Sequence, residues 1–196
     1  MNFLELARHR RSIRVFESRD VERELIFKIL EAGNLAPSAH NKQSWKFFVI
    51  SGNKKNQLAE LINDLSYGFP RKSRTLLRMA AKSITSAPVV IGVFSTGELV
   101  EEAEDFGITM KRDIERFFLN MEIQSASAAA QNMLLQATEL GLGAVWLGIV
   151  SLISNRIEKF LNTGFKLLAL IPIGYPLKIN QSPQKKSLKD VVIELS

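Results

Sequence analysis

The chain has 196 residues, a formal net charge of +6 and no cysteine. Its length suits a single domain with one sizeable core. The lack of cysteine excludes disulfides, thiolate metal sites and cysteine nucleophiles, and two histidines argue against a histidine metal cluster. Because acidic residues are interspersed with the basic ones, the positive charge suits a small anion at least as well as a nucleic acid or a lipid surface. The N-terminus lacks the apolar core of a signal peptide, so we expect a cytoplasmic protein.

Helix-capping patterns open the chain. Asn2 followed by Glu5 predicts a capping box and a short first helix. Asp20 is the predicted cap of a second helix, which Gly33 or Pro37 would end.

Between these helices lies a cluster of cations, RHRRSIRVF. In an extended backbone, Arg10, Ser12 and Arg14 would share one face, and Ile13 and Val15 would share the buried face. Two guanidinium groups with a hydroxyl between them suit a phosphate. Taken alone, the cluster also fits a solvated charge run or a basic arm for nucleic acid.

The middle of the chain alternates strand and helix patterns. Lys46 to Ile50 predicts a strand, and Asn53 is the predicted cap of a helix that ends near Leu65. YGFPRKSRT predicts a loop before a helix at 76–84. PVVIGVFS predicts a central strand buried on both faces. The acidic segment 96–111 follows, without a clear periodicity.

The second half predicts a long helix over 113–140, whose small side chains SASAAA favour close packing of another helix. GAVWLGIV is typical of a strand or a strand-like turn, Ser154 opens a helix through Leu161, and FKLLALIPIGYP predicts a strand that Pro176 ends. DVVIEL at the C-terminus fits an edge strand or a partner-binding arm. Strands separated by helices indicate an α+β domain with a mixed central sheet flanked by helices.

The loop APSAHNKQSW, residues 36–45, precedes the first strand. Its amide side chains carry donors and an acceptor, so they suit the polar edge of a planar heterocycle. Loop amides also commonly bond their own backbone, and this alternative stays open for Asn41 and Gln43. Trp45 is expected in the core.

Four motifs together resemble the FMN-dependent nitroreductase family. The first is an N-terminal signature, RRSIRVF followed by LEAGNLAPSAHNKQSW; the other three, AAQNMLLQATELGLGAVWLG, IPIGYP and KKSLKDVV, follow in family order. Ser44 stands where the family usually has proline, Ala39 where many members have a second serine, and Lys185 where arginine is common. The resemblance implies a nitroreductase-like fold and an entwined homodimer with FMN at the subunit interface.

The resemblance also assigns site residues. Arg10, Ser12 and Arg14 would hold the FMN phosphate and reach the N1/O2 side of the flavin, with Arg11 nearby. The loop contacts from the partner subunit would be Pro37, Ser38, Asn41 and Gln43. The turn against the isoalloxazine would be Ala144, Val145, Trp146, Leu147 and Gly148, with a backbone N–H toward N5. Lys185 and Lys186 would add a phosphate cation.

The expected activity is ping-pong hydride transfer from NADH or NADPH, through FMN, to a nitroaromatic, a quinone or a similar oxidant. No protein nucleophile, general base or metal is required. Candidate substrate-lining residues are Tyr67, Phe69, Phe106, Phe117 and Phe118, although single aromatic residues more often belong to a core. A flavin-binding sensor or storage protein and a basic nucleic-acid-binding domain remain as alternatives.

Overall fold

A computed structural model describes residues 1–102, 111–179 and 183–195. The helices are α1 Phe3–His9, α2 Arg23–Asn34, α3 Gly52–Ser66, α4 Arg71–Ser86, α5 Glu98–Glu102, α6 Lys111–Glu139 and α7 Ser154–Leu161. The strands are β1 Trp45–Ser51, β2 Val89–Ser95, β3 Gly143–Ala144 and β4 Lys166–Gly174. Among the described helices, none is both long and apolar enough to cross a membrane.

The four strands form one sheet in the order β1-β2-β4-β3, and each neighbouring pair is antiparallel. The predicted α+β class is confirmed, but the prediction of a mixed sheet is wrong for these strands. The helical hairpin α3–α4 explains the first pairing, because two antiparallel helices return the chain to the end of the sheet that β1 left. The parallel pairing in the described chain is an isolated bridge between Ser12 and Ala144.

Helices cover both faces of the sheet. β2 is buried at every position, as its β-branched composition predicts. On one face, α2 and α6 pack on the sheet, and on the other face α3 and α4 do so. α2 packs against the small-residue stretch of α6, because Ala126, Ala129 and Ala130 share a buried cluster with Ile26 and Ile29 of α2. Farther along, Gly33 makes room for Met133, since a Cβ atom added to Gly33 would lie 2.4 Å from Cε of Met133. Within one chain, the close helix neighbour predicted for SASAAA is therefore α2.

Most predicted elements are present, but several boundaries differ. The capping box of Asn2 and Glu5 is confirmed. α2 begins at Arg23 with Glu22 rather than Asp20 at the N-cap, because the Glu22 carboxylate is held by Arg19 and Tyr175. α3 begins at Gly52, so its N-cap is Ser51 rather than Asn53.

Two further segments differ from the predicted pattern. The segment predicted as a loop through Thr75 is helical from Arg71, because Pro70 occupies the N-cap of α4 and precedes the helix rather than ending one. At the C-terminus, Leu188–Asp190 forms one 3₁₀ turn. The described part of the tail contains no strand.

Candidate functional site

The cationic segment lies along the outer edge of β3. Ser12 and Ala144 form a parallel bridge, and the N–H of Ile13 donates to the carbonyl of Ala144 at 3.0 Å. Farther along, Phe16 forms an antiparallel bridge with Pro176. Two motifs separated by more than a hundred residues in the sequence, RRSIRVF and GAVWLG, are thus adjacent in space.

Two glycines make this close approach possible. A Cβ atom added to Gly143 would lie 2.8 Å from three atoms of Ile13. A Cβ atom added to Gly174 would lie 2.6 Å from Cδ of Pro88 and 3.1 Å from Phe16. Real Cβ atoms do not approach other atoms this closely, so side chains at these positions would push the cationic segment off the sheet.

The alternation predicted for the segment is only partly present. Ser12 and Arg14 are exposed, Arg10 is half-buried, and Ile13 is 6% exposed. The prediction that Val15 shares the buried face is wrong, because it is 53% exposed. Phe16 takes the core position instead, since the segment leaves β3 after Ser12 and pairs next with Pro176.

Three of the four arginines of the segment, Arg10, Arg11 and Arg14, differ in their partners. Nη1 of Arg11 donates to the carbonyls of Arg8 and, at 2.7 Å, of Arg10, so this guanidinium covers the C-terminal end of α1. Nη1 of Arg14 reaches the carbonyl of Ser12 only at 3.5 Å. Arg10 has no side-chain hydrogen bond within the described residues. Arg10 and Arg14 therefore keep most of their donors available for an anion.

The turn after β3 presents two backbone donors. The N–H groups of Val145 and Leu147 donate to carbonyls of β4, at 3.4 Å and 2.9 Å. Within the described residues, the N–H groups of Trp146 and Gly148 have no partner. Trp146 lies two residues after Ala144, so its N–H points to the same strand edge as the carbonyl that Ile13 binds. The free donor is therefore beside the cationic segment.

The loop before β1 is held in an unusual backbone conformation. His40, Asn41 and Gln43 have φ angles of 50°, 54° and 51°, in the left-handed region. Such strained residues cluster at functional sites. The loop is tied together by the N–H of Gln43, which donates to Oγ of Ser38 at 2.9 Å, and by Nε2 of Gln43, which donates to the carbonyl of Asn41 at 3.2 Å. The side chain of Gln43 therefore bonds the backbone of its own loop, which is the alternative that the sequence left open.

Helix α6 anchors the same loop. The N–H of Ala39 donates to Oγ of Ser125 at 3.1 Å. An open groove of about 290 Å³ runs between the loop and α6, lined by Pro37, Ser38, Ala39, Met121, Gln124, Ser125 and Ala128. Among the described residues, no hydrogen bond or ion pair joins Pro37, Ser38, Asn41 or Gln43 to the cationic segment of the same chain.

The remaining predicted residues are scattered. Tyr67 and Phe117 are 57% and 59% exposed, Phe69 is half-buried against the α3–α4 core, and Phe118 is buried against Leu99. Phe106 lies outside the described residues. Lys185 and Lys186 are exposed on the tail, and no hydrogen bond or ion pair of the described residues connects them to the cationic segment.

Sequence reasoning missed a polar cluster that secures the far end of the segment. The hydroxyl of Tyr175 donates to Glu22 at 2.7 Å, Arg19 pairs with Glu22 at 3.0 Å, and the Arg19 guanidinium lies 3.8 Å from the centre of the Tyr175 ring. The tyrosine hydroxyl is the main cause that lowers the pKa of Glu22, and the same bond raises the pKa of Tyr175. No local pattern indicates the bond between Tyr175 and Glu22, because 153 residues separate them.

Comparisons with known proteins identify the class. Residues 7–175 match the model of the nitroreductase family. A candidate NADH dehydrogenase/NAD(P)H nitroreductase of Methanothermobacter thermautotrophicus is 32% identical, over 97% of this chain and 84% of that protein. The chain therefore belongs to the nitroreductase family, and it is an oxidoreductase of that family.

Solved structures agree with this class. A candidate nitroreductase from Desulfovibrio desulfuricans, solved in complex with FMN, has a TM-score of 0.73 and 28% identity, covering 98% of this chain and 96% of that one. The nitroreductase CinD from Lactococcus lactis, solved with chloramphenicol, covers all of both chains with a TM-score of 0.79. At 19% identity, CinD supports the fold alone.

Proposed function

We propose that this chain is an FMN-dependent oxidoreductase that takes reducing equivalents from NADH or NADPH and passes them to a small oxidant such as a nitroaromatic or a quinone. The observation that carries the proposal is the pairing of Ser12–Ile13 with Ala144. This pairing brings the segment of Arg10 and Arg14, which keep most of their guanidinium donors available, beside a turn whose Trp146 and Gly148 N–H groups have no partner in the described chain. Both halves of the site suit a planar cofactor with an anionic tail.

Arg10, Ser12 and Arg14 would hold the FMN phosphate. Arginine offers a planar fork of donors that stays charged at any working pH, and a charge-assisted bond to phosphate is stronger than a neutral one. Arg11 contributes least to this binding, since its Nη1 already serves the end of α1. From the tail, Lys185 and Lys186 would add positive charge without bidentate geometry.

The turn Ala144–Gly148 would orient the flavin ring. Bound FMN would supply the hydride-accepting and hydride-donating chemistry. The chain would supply the N–H of Trp146 as a donor toward N5 and the charge of Arg14 toward the N1/O2 side, where positive charge would favour the reduced ring. No side chain needs to act as a nucleophile or a general base.

The functional unit that we propose is a homodimer. The loop that carries Pro37, Ser38, Asn41 and Gln43 would contact the FMN held by the partner subunit. These four residues make no hydrogen bond to the cationic segment of their own chain within the described residues, which is compatible with this arrangement. Analytical ultracentrifugation of the FMN-loaded protein should show a dimer at micromolar concentration, and a monomer would contradict the shared site.

Steady-state kinetics test the reaction itself. With NADH or NADPH varied at several fixed concentrations of menadione or nitrofurazone, a ping-pong enzyme produces parallel double-reciprocal lines, because one substrate leaves before the other binds. Intersecting lines would contradict the shared-site mechanism. Bound FMN with no turnover of either oxidant would instead indicate a flavin-binding protein without catalysis.

A further inference from the structure

Helix α4 carries most of the net charge of the protein. Its sequence, RKSRTLLRMAAKSITS, contains five cations and no acidic residue. These five account for all but one of the six net positive charges of the whole chain. The cations elsewhere are therefore nearly balanced by acidic residues, and α4 is the strongest concentration of charge that the flavin site does not use.

Three of these cations form a strip along the exposed side of the helix. Arg71, Arg78 and Lys82 are spaced seven and four residues apart, which places them on one side of an α-helix. The opposite side packs into the core through Leu77, Ala80, Ala81 and Ile84. Within the described residues, no cation of α4 forms an ion pair, and the acidic residues that share a groove with the strip are Glu60 and Asp64 of α3, beside Lys82.

Two exposed apolar side chains share the exposed side of the helix with the cations, and at about 100° per residue Met79 is nearer to the strip than Leu76. Leu76 and Met79 are 49% and 44% exposed. At the N-terminal end of the helix, Tyr67 is 57% exposed, and Arg74 and Arg78 each lie 5.9 Å from the centre of its ring. An exposed helix face that combines cations with apolar side chains is typical of a surface that meets the headgroup region of a membrane.

We propose that the exposed face of α4 docks on an anionic phospholipid surface. The strip lies along one exposed side of the helix, so it can present its charges in a row to a plane of phosphates. Leu76 and Met79 would contact the acyl boundary, whereas a nucleic-acid backbone offers nothing that matches them. The docking is peripheral and electrostatic, so it should weaken as salt increases.

Co-sedimentation of the FMN-loaded protein with vesicles tests the proposal. We expect binding to equimolar phosphatidylglycerol and phosphatidylcholine at low ionic strength, and none to phosphatidylcholine alone. Replacing Arg71, Arg78 and Lys82 with glutamine should weaken partitioning roughly fivefold per cation, on the order of 100-fold for the triple variant. A triple variant that binds like the parent, or a parent that ignores anionic vesicles, would overturn the proposal.

Two further variants distinguish the docking surface from general basicity. The matched control replaces Lys28, Arg156 and Lys159, three exposed cations of α2 and α7, with glutamine, and it should keep most vesicle binding. Leu76→Ser with Met79→Ser should weaken vesicle binding while the charge stays constant. If a labelled DNA duplex binds the parent as tightly as the vesicles do, and the apolar variant binds the vesicles unchanged, the face is a general polyanion site and the proposal fails. The FMN content and circular dichroism of each variant confirm its fold.

Discussion

Gly143→Ala should damage the flavin site without touching any residue that would bind FMN. The added Cβ atom would lie 2.8 Å from Cβ, Cγ1 and Cγ2 of Ile13. Ile13 is 6% exposed, and its backbone N–H is bonded to Ala144, so neither its side chain nor its backbone can easily move away. The cationic segment must therefore shift, and Arg10, Ser12 and Arg14 shift with it.

The expected magnitude follows from two opposing effects. Overpacking costs about 1–3 kcal/mol, and the reduced freedom of the unfolded chain returns about 0.4–1 kcal/mol. We expect a net loss of about 1–2 kcal/mol, which lowers Tm by about 2–8 °C in a chain of this size. If the displacement weakens one charge-assisted bond to phosphate, the affinity for FMN falls about tenfold.

Gly164→Ala is the matched control. Nothing lies within 4 Å of a Cβ atom added to Gly164, so this variant should keep the FMN affinity of the parent and gain about 0.4–1 kcal/mol of stability. Thermal unfolding and titration of the apoprotein with FMN, followed by quenching of flavin fluorescence, measure both quantities. The reasoning is refuted if the Gly143 variant matches the Gly164 variant in Tm and in FMN affinity.

Three further predictions concern single side chains. Arg10→Ala and Arg14→Ala should each weaken FMN binding about tenfold or more, and Arg11→Ala should weaken it less. Fluorescence titration with FMN measures the three affinities, and an equal loss of affinity in all three variants would contradict the prediction. Oγ of Ser44 is buried without a partner in the described chain, so Ser44→Ala should leave the free energy of unfolding unchanged or raise it by up to about 1 kcal/mol. Ser66→Ala is the comparison: it removes a bond to the carbonyl of Asn63 and should lower the free energy of unfolding by about 1 kcal/mol. Denaturation in urea compares the two variants, and equal effects would argue against the unpaired hydroxyl. The carboxylate of Glu22 stabilises the fold above its ordinary pKa of 4.5, and this stabilisation is lost as pH falls through its lowered pKa. The Tyr175 hydroxyl stabilises the fold below its ordinary pKa of 10.0, and this stabilisation is lost as pH rises through its raised pKa. The stability difference between the parent and Tyr175→Phe should therefore be largest between these limits and shrink outside them, and a difference that stays constant with pH would contradict the assignment.

Sequence patterns predicted the features of the fold that depend on residues close together in the chain. The capping box at Asn2 and Glu5, the fully buried β2 and the small-residue stretch of α6 all behave as their residue types indicate. Helix starts were less predictable where several capping residues compete. Asp20 is a good cap in isolation, but the bond that Glu22 accepts from Tyr175 belongs to the tertiary structure.

The candidate site shows the same division. Its motifs were visible in the sequence, but the pairing of Ser12 with Ala144 and the need for glycine at 143 and 174 depend on which strands meet. The exposure of Val15 has the same origin, because the segment changes its pairing partner between Ser12 and Phe16. Alternation assumes one continuous strand, so it cannot indicate this change.

The most direct test of the central claim is an absorbance spectrum of the purified protein, followed by anaerobic titration with NADH and with NADPH. We predict the two visible absorption bands of an oxidised flavin, either as purified or after incubation with FMN, and their loss on addition of at least one of the two nicotinamides. A protein that stays colourless after incubation with FMN would contradict the proposed cofactor. Flavin bands that neither nicotinamide bleaches would contradict the proposed reaction.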